Sequence, residues 1–155
     1  MTDEELRPRV LGYLQSHHTM TIASQGEEGV WAATVFYVND GLRLYFLSAP
    51  TTRHSRNIAR DGRIAITIQE DCADWPQIKG IQAEGLAVEI GGDEERRVRE
   101  LYGAKYPVVG KLAQAPAAIV KALAKVRWYR FEPERLFFID NSLGFGRRDA
   151  VECRN

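Results

Sequence analysis

The stretch "VWAATVFYVNDGLRLYFLSAPTTRHSRNIAR" (Val30–Arg60) decides how the rest of the chain is read. It opens with β-branched and aromatic residues over Val30–Val38 and runs into Asn-Asp-Gly, a strong hairpin signal. "LRLYFLS" (Leu42–Ser48) returns from that turn as a second strand. A turn at Pro50 follows, and then Arg53, His54, Arg56 and Arg60 crowd together behind Thr52. Thr52 is a good N-cap, which predicts a short helix from about Arg53 to Arg60. Helical spacing then puts Arg53, Arg56 and Arg60 on one face.

The first turn of such a helix carries unpaired amide hydrogens and the positive end of a dipole, which together suit a phosphate. Ser48, Thr51 and Thr52 add hydroxyl donors, and Arg53 adds a planar two-pronged donor. Two readings stay open for these residues. One is a phosphate cradle between the strand end and the helix; the other is a solvated arginine face behind an ordinary threonine cap.

Outward from this stretch, Thr2 and Glu5 form a capping box, and Leu6, Val10, Leu11 and Leu14 recur on one helical face. A helix within residues 1–18 therefore opens the chain. "TMTIAS" (Thr19–Ser24) reads as a strand before a turn at "QGEEG", and "RIAITIQ" (Arg63–Gln69) aligns Ile64, Ile66 and Ile68 on one side. "IKGIQAEGLAVEI" (Ile78–Ile90) changes hydrophobic phase at Gly85, which predicts a bulge or sharp bend. "GGDEERRVRELYGAKYP" (Gly91–Pro107) reads as a helix capped by Asp93, with Val98, Leu101 and Tyr102 inward. "APAAIVKALAKV" (Ala115–Val126) reads as a second helix, "VRWYRF" and "ERLFFID" as two closing strands, and residues 141–155 as an irregular tail. The pattern is that of one mainly β (α+β) domain over residues 1–155, a closed or nearly closed antiparallel barrel with helices outside.

The 155 residues suit one domain or one subunit of a small oligomer, and 21 basic side chains balance 21 acidic ones. That balance argues against nucleic acid as the main partner. Cys72 and Cys153 show no metal-type spacing and read as free thiols of a reducing compartment. No apolar run reaches membrane-spanning length and the first residues hold no apolar signal core, so a cytoplasmic protein without a membrane partner is expected. Metal-ligand spacing, a serine–histidine–acid order and a nucleotide-binding glycine fingerprint are all missing from the sequence. Any chemistry is then a bound cofactor's, which the protein positions and tunes. His17 and His18 either complement the end of the first helix or ligate a metal or haem. Lys79, Gln82 and Glu84 either meet solvent or line a cleft between subunits, and Phe145 either pins the tail or covers a bound ring.

The order of strand, "NDG" hairpin, "LYFLS" and basic helix start resembles the FMN-binding split barrel of the pyridoxamine 5′-phosphate oxidase superfamily. "TRH", "IKGIQAEG", "KYPVVGKLAQAP" and "DNSLGFG" resemble, in the same order, a small bacterial branch of it, so the likeness spans nearly the whole chain. The resemblance implies an antiparallel six-stranded split β-barrel with peripheral helices. It also implies a homodimer holding FMN in a groove between two barrels, as a flavin-dependent oxidoreductase of a small-molecule substrate. By position, Ala33, Thr34, Val35 and Phe36 would meet the flavin ring through their backbone, and Leu47 with Ser48 would stand near the ribityl chain. Thr52, Arg53 and His54 would hold the phosphate, with Arg56 in support. Three positions depart from the oxidase pattern. His54 replaces a lysine, and Gly80 falls where a ring-contacting glutamine is expected, leaving Lys79 or Gln82 to serve. "LGFGRR" replaces a tryptophan–arginine pair, which argues against pyridoxamine phosphate as substrate. Two rivals remain: a non-catalytic flavin, deazaflavin or haem carrier, and a barrel without cofactor acting through its dimer surface. No residue is assigned as catalytic.

Overall fold

The computed structural model describes residues 1–154; the last residue of the expected tail, Asn155, lies outside them. Helix α1 (Asp3–Ser16) precedes strands β1 (Thr19–Gly26), β2 (Gly29–Phe36), β3 (Val38–Asp40) and β4 (Arg43–Ser48). Helix α2 (Arg53–Arg60), β5 (Arg63–Gln69) and β6 (Lys79–Ile90) follow, then helices α3 (Gly92–Lys105), α4 (Pro107–Gly110) and α5 (Ala117–Leu123). Strands β7 (Arg127–Asp140) and β8 (Arg148–Val151) close the chain. One curled antiparallel sheet runs in the order β2-β1-β5-β6-β7-β4-β3, with β8 added to β7. The curl brings β2 alongside β4 without pairing them, and that gap is the split of the barrel.

Local chemistry explains the elements that matter for the corner. Thr2 and Glu5 form the reciprocal capping box at α1. Asp40 pairs with Arg43 across Gly41 and Leu42, and Gly41 has the positive φ of 59° that a mirror-image hairpin turn demands at its first position. Helix α2 begins at Arg53 and ends at Arg60 as its cap and spacing predict, and Ile64, Ile66 and Ile68 of β5 are buried.

Four expectations change. The run Val30–Val38 is not one strand: it breaks at Tyr37, whose amide donates to His18 O at 3.0 Å and whose hydroxyl donates to Leu14 O at 2.8 Å. Before the break the chain pairs with β1, and after it with β4, which adds one strand; among the described residues the sheet has eight. The two closing strands are one, β7, interrupted by an irregularity at Glu134 opposite Glu84 and Gly85. The inward parity therefore switches in β7, from Tyr129 and Phe131 to Leu136 and Phe138, while β6 keeps Ile81, Ala83 and Ala87 inside. Leu86 and Val88 are the residues left outside, which produced the phase change in the sequence. Asp93 lies in the first turn of α3 rather than at its cap, which is Gly91. The tail is not wholly irregular, because residues Arg148–Val151 pair with β7.

The main core fills the barrel, with α1 and α2 against its openings; Leu44, Phe46, Ile68, Ile81 and Phe131 are fully buried. A second cluster of Val38, Tyr45, Val98, Tyr102 and Trp128 covers the outer side of β3 and β4 with α3. Apolar residues of both parities in "LYFL" are thus satisfied within one chain.

Lys105 sits above this cluster, donating to Leu14 O at 3.3 Å and lying 4.2 Å from the centre of the Tyr37 ring. Burial pulls its pKa from 10.5 down to about 8. Burial also raises Tyr102 from 10.0 to about 12 and lifts Tyr13, Tyr37 and Tyr106 above the usual phenol range. Between pH 8 and 10 the unfolded chain holds a proton at Lys105 that the native one releases, so the Lys105 contribution to stability rises with pH there. Burial raises the Cys153 thiol above 9.0 and Tyr102 above 10.0, so their contributions fall over an overlapping range. The denaturant midpoint of wild type relative to that of Lys105→Met is therefore expected to climb from pH 8 towards pH 10. A difference that stays flat across that range would contradict this.

Candidate functional site

Strand β4 ends at Ser48, and the turn Ala49–Thr52 leads directly into α2. Thr52 Oγ1 accepts from Ser55 N at 3.2 Å and donates to Ala49 O at 3.0 Å, which fixes the helix start. By position, the amides of Arg53 and His54 have no partner within the helix.

Helix α2 has two chemically different faces. His54, Ser55, Asn57 and Ile58 are buried against the barrel. There Ser48 Oγ lies 2.6 Å from His54 Nε2 and 3.2 Å from Thr52 Oγ1. Burial pushes His54 below its ordinary 6.5, so the ring is neutral near pH 7. Ser55 Oγ is buried without a partner. The other face carries Arg53, Arg56 and Arg60, which line a cavity of about 450 Å³ with Asn57, Glu27 and Glu28. Arg53 stacks its guanidinium 4.4 Å from the centre of the Trp31 ring, and its Nη2 donates to Glu28 O at 3.0 Å. Its Nε is buried and makes no hydrogen bond.

The expected site residues fall into four groups. Leu47, Ser48, Thr52, Arg53, His54 and Arg56 gather at this corner, divided between the inner and outer sides of α2. Ala33, Thr34, Val35 and Phe36 lie on β2, an edge strand whose free side has no strand partner among the described residues. Backbone donors and acceptors there are open to a ligand. Gln82 faces outward on a rung of Thr34, Thr21, Thr67, Gln82 and Phe137, with two strands between it and Thr34. Lys79 stands at the opposite end of the barrel, 3.7 Å from Asp140 Oδ2, and does not join the corner. Gly80 admits no side chain, since a Cβ there would come within 2.6 Å of Ile68 O.

Sequence reasoning missed Glu27, Glu28, Trp31 and Asn57. The "QGEEG" turn was legible as a turn, but only the pairing of β1 with β2 and the packing of α2 on β1 bring its carboxylates to the arginines. His17 does close α1, with Nδ1 at 2.8 Å from Tyr13 O, and it also meets Glu70 at 2.6 Å. Among the described residues no cluster of three metal-binding side chains occurs, and no helix is long and apolar enough to cross a membrane.

The outer face of the sheet mixes threonines and alanines with a Glu84–Arg135 ion pair. Beside the threonine rung runs another of Ala32, Ala23, Ala65, Glu84 and Arg135. Val30 at 78% and Phe36 at 55% exposure flank them on the edge strand.

Known proteins match this architecture over almost its full length. A UPF0306 protein of Klebsiella pneumoniae is 31% identical over 145 residues, covering 89% of this chain and 90% of its own. Among solved structures, a haem-binding protein from Mycobacterium smegmatis superposes with a TM-score of 0.74 at 20% identity, covering 99% of this chain and 59% of that one. HutZ, a haem storage protein from Vibrio cholerae, superposes with a TM-score of 0.67 at 19% identity, covering 85% of this chain and 93% of that one. At such identities these two show the shared fold alone. The model of the family described as pyridoxamine 5′-phosphate oxidase matches residues 6–140, which takes in the split barrel, the hairpin and the helix with the arginines, and to that family this chain belongs.

Proposed function

We propose that the protein binds flavin mononucleotide and acts as an FMN-dependent oxidoreductase on a small molecule. The observation that carries this is Arg53 Nε, a buried donor that makes no hydrogen bond and meets only a long 3.5 Å contact from Glu28 Oε2, beside the amides at the start of α2. A buried donor without a hydrogen bond is costly, and a phosphate oxygen is the acceptor that this set of groups suits. Thr52, Arg53 and Arg56 hold the phosphate, and the Ser48–His54 pair backs the helix start from inside. Neutral His54 adds no charge, so the cationic share falls on the arginines. Leu47 and Ser48 border the ribityl chain, and the free edge of Ala33–Phe36 meets the ring. When bound, the flavin supplies hydride or single-electron transfer. A second copy covers the exposed Val30 and Phe36 at the sheet edge, giving a homodimer.

A specific observation favours haem as a second reading. His18 is exposed next to the outer face, its ring 6.0 Å from Tyr106, which in turn lies 5.6 Å from Phe36. An exposed imidazole beside an aromatic ring suits an axial ligand over a macrocycle. Absorbance of the purified protein, and of protein reconstituted with FMN or haem, separates the readings. A flavin spectrum that bleaches with a nicotinamide reductant supports the first. A Soret band lost in His18→Ala supports the second and overturns the first; a flavin that resists reduction leaves only a carrier.

A further inference from the structure

The arginine face of α2 already meets two anions from its own chain. Glu28 Oε2 lies 3.5 Å from Arg53 Nε, and Glu27 Oε1 lies 3.5 Å from Arg60 Nη1. We propose that Glu27 and Glu28 are displaceable counter-ions of this face, a charge filter that an anionic phosphate group displaces, the more readily the higher its charge, and that a neutral ligand does not. The inference rests on the seating of a phosphate at this corner proposed above.

Both contacts are long for ion pairs, which close to about 2.7–2.9 Å when well formed. The Glu28 and Glu27 side chains are 65% and 83% exposed, so each pair is worth no more than a factor of about five in an equilibrium. Such contacts can be displaced. The charges also do not balance: three arginines face two carboxylates, and Arg56 has no carboxylate partner among the described residues. Arg56 is thus open to a first negative charge, and a second competes with the glutamates for Arg53 and Arg60. Nothing charged replaces the glutamates when a neutral ligand arrives.

The turn is held close to α2 with its two carboxylates at the tip. A Cβ on Gly26 would come within 2.0 Å of Asn57 Oδ1, so glycine lets the turn lie against α2. Gly29, at the other end, has the positive φ of 100° that closes the turn, and it pairs with Gly26, which leaves Glu27 and Glu28 at the tip.

The test titrates wild type and E27Q/E28Q with FMN, riboflavin, inorganic phosphate and dimethyl phosphate at low salt, at a pH where inorganic phosphate is largely dianionic. Both glutamates are exposed, so the variant is expected to fold as wild type does. It should bind FMN and phosphate about five- to tenfold more tightly, with a steeper loss in salt, and leave riboflavin unchanged. Its preference for phosphate over dimethyl phosphate should grow, because removing two negative charges favours a dianion more than a monoanion. Equal FMN affinity and equal preference in both forms would overturn the filter while leaving the flavin seat intact. Phosphate responding as stated, with FMN bound by neither form, would uphold the filter and remove the flavin reading. Phosphate bound by neither form would overturn the filter.

Discussion

Gly85→Ala is expected to destabilise the protein by about 3 kcal/mol, the upper end of ordinary overpacking, and to lower the melting temperature by roughly 10 °C. The reason lies in β7. At the irregularity around Glu134 the neighbouring strand bows towards β6, so that a Cβ on Gly85 would stand 2.0 Å from Glu132 O and 2.9 Å from Pro133 Cα. Both obstacles are backbone, so no side chain can rotate away, and the sheet must part where its inward parity switches. Gly12→Ala is the natural control. Nothing lies within 4 Å of its Cβ, and it sits inside α1, where alanine is favoured over glycine by about 0.5–1 kcal/mol. The first substitution should lower the thermal midpoint and the second raise it. Equal midpoints for Gly85→Ala and wild type would mean that the strands do not approach so closely.

Arg53→Ala is expected to weaken FMN binding by about 1.5–3 kcal/mol, roughly ten- to 150-fold, as for a hydrogen bond to a charged group. The apo protein should scarcely change, because the partners lost are Glu28 and the face of Trp31 at a partly exposed edge. Arg53→Lys should recover only part of the affinity, since an ammonium keeps the charge but cannot offer two parallel donors. Fluorescence titration of the flavin measures both. Unaltered affinity in Arg53→Ala, with an unaltered melting temperature, would take this side chain out of the site.

The corner was legible where its signals are local. Thr52 as a cap, arginines at helical spacing and the glycine hairpin are decided by neighbours a few residues away, and α2 and the β3–β4 turn follow them. What escaped depends on distant partners. No local feature breaks Val30–Val38; the break comes from Tyr37 reaching the end of α1. Gly85 marked an irregular position correctly, but the extra residue, Glu134, belongs to the opposing strand, which the sequence of β6 alone cannot reveal. The cations gathered behind Thr52 were visible, while the carboxylates that face them sit one hairpin away and meet them only through the sheet. Lys79 and Gln82, three residues apart on one strand, were both eligible to stand in for the absent glutamine. The sheet sends Gln82 to the outer face and Lys79 to the far end beside Asp140.

The most direct measurement is a crystal structure of the protein soaked with FMN. The account predicts the phosphate at the start of α2, within hydrogen-bond distance of the Arg53 side chain and the first free amides, with the ring along the edge of β2. A structure with Arg53 still turned to Glu28 and the flavin absent, or held with its phosphate elsewhere, would contradict it.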